Sequence, residues 1–411
     1  MAREDQIPPG RSTMRVLFST VPELGHFFPL APLARALYAA GHDVRFATAA
    51  ALAPRIEAAG FPAVPVGKDL GAWFEELRRR TGTEPGAGLA PDEIMHWFVP
   101  NLFAAVGAPS TLADLVPLVE MWRPQVIVHD SYEFAAPLAA ARIGVPSVQH
   151  MLGPCPPLED VEAAGQVLAP RWRDAGLEPE PFAGAFRGPC FRVAPTSLEG
   201  PLPPELRARV HAVRPVGYDT APEAEAPEWI SALPDRPTVY GTLGTFLNTD
   251  LSVFRAILDG SADEPMNVVL TIGRGNDPAG LGPAPANARV EVFVPQSLLL
   301  PRCAAVVCHG GSGTILPALA RGLPLGLIPQ GADNFLNAER CVAAGVGLAL
   351  MPGQVSPAAV RAMVERLLHE PTFAERARQV AAEIAGMPLP EDIVPMLEAL
   401  ARGDVAGSPS A

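Results

Sequence analysis

The chain has 411 residues, of which 48% are apolar and 18% are charged, so a compact protein with substantial cores is expected rather than a disordered one. This length predicts two or three domains. The formal net charge of −13, without any stretch rich in Lys or Arg, argues against nucleic acid and anionic membranes as partners. The five cysteines show neither CxxC nor metal-ligand spacing, which favours a reducing cytoplasm and thiols used as small core residues.

The N-terminus mixes charged residues with Pro and Gly. Residues 1–13 contain no apolar segment, which argues against a signal peptide and predicts a disordered extension. No apolar run in the chain approaches the roughly 20 residues of a membrane span. The sequence therefore predicts a cytoplasmic protein without a membrane span.

Strands and helices alternate at the start of the chain, and this predicts parallel strands joined by right-handed crossovers. Pro29 and Pro32 are expected in or near the first turn of the first helix, where proline costs least. The loop before that helix lacks G-x-G-x-x-G, so a dinucleotide site is not expected there. The expected elements are a strand at 14–18, a helix at 26–40, a strand at 44–47, a helix at 54–59 and a strand at 63–66.

Residues 68–122 interrupt this alternation with helices that carry several large aromatic side chains. These rings form either an ordinary helical core or an apolar substrate cleft, and the sequence favours neither. The candidate cleft residues are Trp73, Phe74, Trp97, Phe98 and Phe103. A strand at 126–130, a helix ending at Arg142 and a strand at 146–151 are expected next, and residues 153–192 are expected to be irregular apart from a helix near 161–175.

A Pro-rich segment at 217–237 is expected to link a first domain, residues 14–216, to a second αβ series. Ser356 followed by Pro357 predicts a late helix start. Residues 386–411 are expected to form a helix and tail that pack back on the first domain. The predicted fold class is α/β, with two doubly wound Rossmann-like domains facing across a cleft. The second domain, residues 238–385, is predicted to contain strands at 238–242, 267–272, 290–294, 304–308 and 325–328.

Residues 308–314, with the sequence CHGGSGT, have the pattern of a phosphate-binding loop. A small apolar strand leads into the loop, and a helix is expected to begin at about Thr314 with Gly313 as its cap. Glycines let the backbone approach an anion, and the unpaired amides of the first helical turn point at it. In this register Pro317 is the fourth helical residue, so its missing amide breaks no helical hydrogen bond. A tight turn that binds nothing is the alternative.

A second small turn, Thr242-Leu243-Gly244-Thr245, follows the first strand of the second domain. Turns of this kind are common, so this turn taken alone is weak evidence for a ligand site. Because it is expected at the same edge of the cleft as the glycine-rich loop, the two turns together predict two walls around one diphosphate.

His26 comes just after the first strand, and Asp130 ends another strand of the same sheet. In open αβ sheets, ligands lie outside the carboxyl ends of the strands, so both side chains could face one cleft. A histidine held by a carboxylate has a defined tautomer and orientation and can act as a general base. The alternative is that His26 caps or packs against a helix and that Asp130 belongs to an ordinary turn.

Two other kinds of chemistry, serine hydrolysis and metal-assisted phosphate binding, fit the sequence less well. Residues 310–314 nearly match the G-x-S-x-G nucleophile elbow of hydrolases, but Thr314 stands where the tight turn needs glycine. The chain contains no D-x-D pair. If the ligand is a nucleoside diphosphate, its charge is therefore expected to be met by amides and side chains, without a metal or other cofactor.

The combination of these features resembles the inverting nucleotide-sugar glycosyltransferases of the two-domain GT-B type, especially bacterial enzymes that glycosylate natural products. The resemblance covers residues 14 to about 401 and is most specific between Phe293 and Ala338. The motif Gly25-His26-x-x-Pro29 near the N-terminus is also similar to the family.

The resemblance implies a role for each matched residue. His26 would deprotonate the acceptor, with Asp130 as its partner, and the aromatic cleft residues would hold an apolar acceptor. Phe293 would stack on the base, the main chain of Val294 would meet the base edge, and Gln296 would reach the ribose. The diphosphate would be bound by His309, Gly311, Ser312, Gly313 and Thr314 with Thr245 opposite, and the sugar hydroxyls by Asp333 and Asn334.

Two departures from the family pattern bear on the donor. Many members that use UDP-sugars have Glu at the position of Pro317, where it grips both ribose hydroxyls, and proline cannot accept those bonds. A 2′-deoxyribose does not need that grip, which favours a TDP-sugar. Asn334 replaces a commoner Gln, and the shorter side chain favours an unusual, deoxygenated sugar.

Other functions remain open on the same fold. A sugar-nucleotide epimerase is one alternative, although it needs no apolar acceptor pocket. A non-catalytic nucleotide-binding helper is another, although it would not need both His26 and the loop. The sequence does not identify the acceptor, the glycosylated atom or a helper protein, and it leaves open whether the protein is a homodimer.

Overall fold

The structure, a computed structural model, describes residues 13–90, 93–218, 225–244 and 248–404. Its strands form two parallel sheets, one in each half of the chain. The strands of the first sheet are β1 (Arg15–Ser19), β2 (Asp43–Thr48), β3 (Ala63–Pro65), β4 (Val126–Asp130), β5 (Ser147–His150), β6 (Cys190–Arg192) and β7 (Val210–Ala212). Those of the second sheet are β8 (Thr238–Thr242), β9 (Asn267–Thr271), β10 (Ala288–Glu291), β11 (Ala305–Cys308), β12 (Leu325–Leu327) and β13 (Gly347–Ala349).

Helices connect the strands within each half of the chain. The first half contains α1 (Leu24–Ala39), α2 (Ala53–Ala58), α3 (Leu70–Thr81), α4 (Glu93–Phe98), a π-helical segment (Val99–Gly107), α5 (Ala108–Trp122), α6 (Ala135–Ile143), α7 (Leu158–Asp174) and α8 (Pro204–Arg207). The second half contains α9 (Glu228–Ser231), α10 (Leu251–Gly260), α11 (Gln296–Leu299), α12 (Ser312–Leu319), α13 (Asn334–Ala343), α14 (Pro357–His369), α15 (Pro371–Ala385) and α16 (Pro390–Arg402).

The two sheets share one topology. Their strand orders are β3-β2-β1-β4-β5-β6-β7 and β10-β9-β8-β11-β12-β13, with every neighbouring pair parallel. The strand order therefore reverses between β1 and β4 in the first sheet and between β8 and β11 in the second. Ligands bind outside the carboxyl ends of the strands at such reversals. The predicted fold class, with two doubly wound αβ domains, is confirmed.

Several strand predictions need correction. The strand predicted at 290–294 ends at Glu291, so Phe293 and Val294 lie in the loop that follows. Strand β6 lies in the segment predicted to be irregular, and the sequence analysis also missed β7 and β13. These three strands have three residues each, too few to show a hydrophobic period.

The helices α1 and α12 begin two residues earlier than predicted. Helix α1 starts at Leu24, and α12 starts at Ser312 with Gly311 as its N-cap, so the predicted Gly313 cap was wrong. Pro29 and Pro317 are consequently the sixth residue of each helix, beyond the first turn. Each proline removes a hydrogen bond that the carbonyl four residues earlier would otherwise accept.

Residues Glu93–Trp122 form one continuous helical rod, interrupted by the π-helical segment. By length and composition it could cross a membrane, and the sequence analysis missed it because polar residues such as Asn101 and Asp114 interrupt the apolar run. Half of its most apolar window is buried inside the protein. Val99, Leu102 and Leu115 pack in the core of the first domain, as the residues of a core helix do.

The last helix returns to the first domain. Ile393, Val394 and Leu397 of α16 pack with Leu33 and Leu37 of α1 in one buried cluster. The preceding helix, α15, packs instead with the second sheet, through residues such as Val380. Residues 1–12 of the expected extension, residues 219–224 of the expected linker and residues 405–411 of the tail lie outside the described residues.

Candidate active site

A cavity of about 1070 Å³ lies between the two domains, at the strand-order reversals of both sheets. Two sets of residues on opposite sides of it are named here. The loop wall comprises Gly244, Phe293, Gln296, His309, residues 311–314, Asp333 and Asn334 of the second domain. The aromatic wall comprises Phe74, Phe98, Leu102, Phe103 and Tyr132 of the first domain.

His26 and Asp130 meet at the strand-order reversal of the first sheet. His26 lies in the first turn of α1, and Asp130 is the last residue of β4, which pairs with β1. The His26 Nδ1 atom lies 3.1 Å from Asp130 Oδ1. The His26 side chain is 17% exposed and lines the cavity, whereas Asp130 is fully buried behind it.

Three further hydrogen bonds hold the Asp130 carboxylate. Its Oδ2 atom accepts from Thr20 Oγ1 at 2.9 Å and from the Val21 amide at 2.8 Å. Its Oδ1 atom accepts from the Tyr132 amide at 2.8 Å. These donors stabilise the ionised carboxylate at a position defined by the loops after β1 and β4.

The electrostatics of this pair favour a charged histidine beside a charged aspartate. Burial opposes the protonated form of His26, but the charge of Asp130, with smaller contributions from Asp333 and Glu23, outweighs it and raises the pKa of His26. Burial likewise opposes the ionised form of Asp130, but His26 and the amides outweigh it and lower the pKa of Asp130. His26 is therefore a strengthened base with one ring nitrogen turned to Asp130.

The glycine-rich loop follows β11 and places a helix N-terminus at the cavity. The amides of Ser312 and Gly313, in the first turn of α12, have no intrahelical acceptor. Gly310 has a φ of 96°, which favours glycine, and a Cβ there would lie 2.9 Å from the Asn334 carbonyl oxygen. An anion is stabilised at such a position by the free amides and by the helix dipole.

His309 is enclosed by two glycines. A Cβ on Gly244 would lie 2.6 Å from the His309 ring, and a Cβ on Gly311 would overlap its Nε2 atom. Burial lowers the pKa of His309 to about 4, so its imidazole is neutral near pH 7. A neutral ring supplies one N–H donor rather than a positive charge.

Asn337 holds the loop in place, and the sequence analysis did not include it among the site residues. Its Nδ2 atom donates to the Gly310 carbonyl at 2.9 Å, to Asp333 Oδ2 at 3.0 Å and to Ser312 Oγ at 3.3 Å. Asn337 lies one helical turn into α13, and the pattern that could have identified it is its spacing of four residues from Asp333.

Three buried polar atoms of the loop wall have no hydrogen-bond partner among the described residues. They are Gln296 Oε1, His309 Nδ1 and Asn334 Oδ1. The Nε2 atom of Gln296 donates to Thr314 Oγ1 at 3.2 Å, and this bond fixes the orientation of the Gln296 side chain. Buried polar atoms in proteins are nearly always paired, which favours a polar ligand at this wall.

Asp333 lies beside the loop and close enough to His26 for their charges to interact. Burial raises the pKa of the Asp333 carboxyl, although hydrogen bonds from Asn337 and the charge of His26 oppose the shift. Asp333 and Asn334 both line the cavity, and their contact with a sugar stays a prediction. Thr245, the residue predicted to face the loop, lies outside the described residues, whereas its neighbour Gly244 contacts the His309 ring.

The base-binding candidates lie where β10 ends. Phe293 is 44% exposed, and Val294 and Gln296 line the cavity beside it. The Arg274 guanidinium lies 5.0 Å above the Phe293 ring. Arg274 is not recognisable as a site residue from the sequence, because its proximity to Phe293 depends on the pairing of β9 with β10.

The five aromatic candidates divide into two groups. Phe74, Phe98 and Phe103 line the cavity. Trp73 does not, because it is only 3% exposed and packs edge-on against Phe103 from the core. Trp97 packs against Phe98 with ring centroids 5.5 Å apart and is not among the described residues that line the cavity. The two tryptophans are therefore supporting residues, and the prediction that they line the pocket was wrong.

The chain matches two family profiles in its two halves. The N-terminal domain of the erythromycin biosynthesis protein CIII-like family matches residues 94–244, and the C-terminal domain of that family matches residues 255–400. The chain is also 31% identical to tylactone mycaminosyltransferase of Streptomyces fradiae, over 96% of this chain and 94% of that protein. The chain belongs to this glycosyltransferase family.

Solved structures of glycosyltransferases share its fold. SnogD from Streptomyces nogalater is 30% identical and superposes with a TM-score of 0.76, over 95% of this chain and all of that one. VinC, solved in complex with dTDP, is 27% identical and also has a TM-score of 0.76, with the same coverage of both chains. The family resemblance and the GT-B arrangement predicted from the sequence are confirmed, and this protein is a glycosyltransferase of natural-product biosynthesis.

Proposed function

We propose that this glycosyltransferase moves a deoxysugar from a TDP-sugar to a hydroxyl of an apolar natural-product aglycone, with inversion at the anomeric carbon. The observation that carries the proposal is the placement of the His26–Asp130 pair, 3.1 Å apart, on the same cavity as the glycine-rich loop. A base and an anion-binding helix N-terminus on two sides of one cavity suit a displacement in which the acceptor is deprotonated and a diphosphate leaves.

The donor half of the proposal rests on the loop wall. The free amides at the start of α12 and the neutral His309 would hold the diphosphate, and Phe293 would stack on the base. Pro317 lines the cavity one turn further along α12 and offers no carboxylate to a ribose 2′-hydroxyl. This supports a 2′-deoxynucleotide, and dTDP is the nucleotide bound in VinC.

The acceptor half rests on the aromatic wall. Phe103 stacks on Tyr132 with centroids 5.2 Å apart, and His26 lies 6.4 Å and 6.0 Å from these two rings. An apolar aglycone held against this wall would present a hydroxyl to the exposed edge of His26. The rings also exclude water, which would otherwise compete as the acceptor.

The reaction then follows from the positions of the groups. Because His26 Nδ1 faces Asp130, the acceptor proton is taken up at Nε2. The acceptor oxygen forms a bond to the anomeric carbon while the bond from that carbon to the diphosphate breaks on the opposite face. The resulting imidazolium is stabilised by Asp130, and the charge on the diphosphate by the amides of residues 312–313. Asp333 and Asn334 would orient the sugar hydroxyls.

Donor identity and transfer can be tested in one series. The melting temperature is first measured with TDP, UDP and GDP, and TDP is expected to raise it most because binding to the folded state alone stabilises the protein. A TDP-deoxysugar and a panel of aromatic and macrocyclic aglycones are then incubated with the protein, and products are identified by mass spectrometry. Stabilisation by GDP alone would overturn the donor assignment. A donor altered without any acceptor would indicate an epimerase instead.

A further inference from the structure

Arg274 is a cation in the cavity that the proposed reaction does not use. It lies in the loop after β9, between Gly273 and Gly275, and both it and Phe293 line the cavity. Its guanidinium lies 5.0 Å above the Phe293 ring. Within the described part of the chain it has no ion pair and no side-chain hydrogen bond, so its contact with the ring is what positions it.

The backbone that carries Arg274 is held firmly. The Gly273 amide donates to the Val292 carbonyl at 3.0 Å, which ties this loop to the residue before Phe293. Asn276 Nδ2 donates to the carbonyls of Ile272 and Asn248, both at 2.7 Å. The Arg274 side chain is exposed on this fixed backbone, so it can shift relative to Phe293 without any change of the loop.

The Phe293 ring is partly exposed and has a cation at its face. The ring is 44% exposed at the mouth of the loop wall, and one of its neighbours is a planar cation rather than an apolar side chain. A guanidinium stacks on aromatic planes of either kind, a side-chain ring or a nucleobase. Arginine planes and aromatic rings are both used by proteins to hold unpaired bases.

We propose that Arg274 binds the donor's nucleobase by stacking on it, so that the base is held between the guanidinium and the Phe293 ring. This inference rests on the proposed function, because it takes the ligand to be a nucleoside diphosphate. The guanidinium moves away from the Phe293 ring by the thickness of one ring. The base then lies between the two planes. The stack recognises a planar aromatic base, and the amides at the start of α12 bind the phosphates.

The proposal predicts how binding depends on the phosphates. Dissociation constants of thymidine, TMP and TDP are measured by calorimetry for the wild type, Arg274→Ala and Arg274→Lys. Arg274→Ala is expected to weaken all three ligands by the same factor, about tenfold, because each carries the same base. Arg274→Lys keeps the charge but loses the plane, so it is expected to recover little of the loss. The donor KM rises accordingly, with kcat near that of the wild type.

A matched control is Arg366→Ala. Arg366 also lies over an aromatic ring, 5.7 Å from the Phe373 centroid, but it is outside the cavity lining. This variant is expected to bind all three ligands as the wild type does. A loss that grows from thymidine to TDP would overturn stacking in favour of an ion pair with the phosphates. Unchanged binding in Arg274→Ala would overturn any role for the residue.

The wild-type titration separates this inference from the proposed function. If the wild type binds TDP and transfers a sugar while Arg274→Ala binds normally, only the inference fails. If the wild type binds another nucleoside diphosphate instead of TDP, the donor assignment fails, and the same series with that nucleoside and its phosphates decides on Arg274. If the wild type binds no nucleotide, both fail.

Discussion

The two walls of the cavity differ in structure: backbone turns dominate one, and large side chains dominate the other. The loop wall is made of short turns at strand ends, and hydrogen bonds such as those of Asn337 fix its backbone. The aromatic wall is made of side chains projecting from α3, α4, the π-helical segment and, for Tyr132, the loop after β4. The loop wall can present backbone amides at fixed positions, whereas the aromatic wall can change its rings without any change of backbone. Donor binding and acceptor selectivity should therefore respond to different substitutions.

The walls meet where the domains touch. Gly153, in the loop after β5, lies against the glycine-rich loop, and a Cβ there would overlap Ser312 Oγ. Gly200 lies against Arg340 of α13 in the same way, with a Cβ expected 2.7 Å from the guanidinium. The first domain thus packs closely against the loop wall at Ser312 and against α13 at Arg340.

The largest effect on the transfer rate should come from substitution of His26, the proposed base. His26→Ala is expected to lower the transfer rate by about 10²–10⁴-fold, because the acceptor loses its base. The affinity for TDP should stay within about twofold, because the diphosphate site is on α12. Initial rates by chromatography and TDP affinity by calorimetry measure the two. The surface variant His369→Ala is the control. Full turnover by His26→Ala would show that His26 is not the base.

The next largest effect should come from the backbone of the loop wall. In Gly311→Ala the new methyl would overlap His309, so the loop or the ring must shift, and donor KM should rise by about 100-fold. Gly313→Ala, two residues away, is the matched control for folding, because its Cβ would meet no atom within 4 Å. We expect a lower melting temperature for the first variant and an unchanged one for the second. Equal donor KM values for Gly311→Ala and the wild type would show that the loop is not the diphosphate site.

A smaller effect should come from the aromatic wall. Phe98→Ala is expected to raise the acceptor KM about tenfold by removing apolar contact, with donor KM unchanged. Trp73→Ala should instead destabilise the fold by about 3–5 kcal/mol, because that ring is buried in the core. Steady-state kinetics and thermal unfolding distinguish the two. A donor KM that rises together with the acceptor KM in Phe98→Ala would contradict the separation of the walls.

The smallest expected effect is a shift in the pH dependence of the transfer rate. His26 must be neutral to accept a proton, and its pKa lies above the ordinary value, so the rate should fall as the pH drops through that raised pKa. Asp130→Asn removes the main charge that raises the pKa of His26, so burial, which lowers that pKa, is opposed only by the smaller contributions of Asp333 and Glu23. The acid limb of the pH–rate profile should therefore move to lower pH in Asp130→Asn, at a reduced maximal rate. An acid limb at the same pH in both proteins would assign it to another group.

The contrast between the walls also explains what the sequence could predict. His26, Asp130 and the glycine-rich loop were predictable, because each follows a strand and ligands lie at strand ends. The aromatic wall was predictable only in part. Phe74, Phe98 and Phe103 line the cavity, but Trp73 is adjacent to Phe74 on one helix, and only tertiary packing decides which ring faces the cavity. The start of α12 was misplaced because Gly311 and Gly313 both suit a cap. Arg274 was missed because its position beside Phe293 depends on the pairing of two strands.

The central claim is that a base on one side of the cavity and a diphosphate site on the other act on one anomeric carbon. The most direct test is the anomeric configuration of the product, determined by NMR with the wild-type protein and a donor of known configuration. Direct displacement by an acceptor that His26 has deprotonated predicts inversion. A product that retains the donor's configuration would contradict the account, because it would require a second displacement that His26 and Asp130 do not provide.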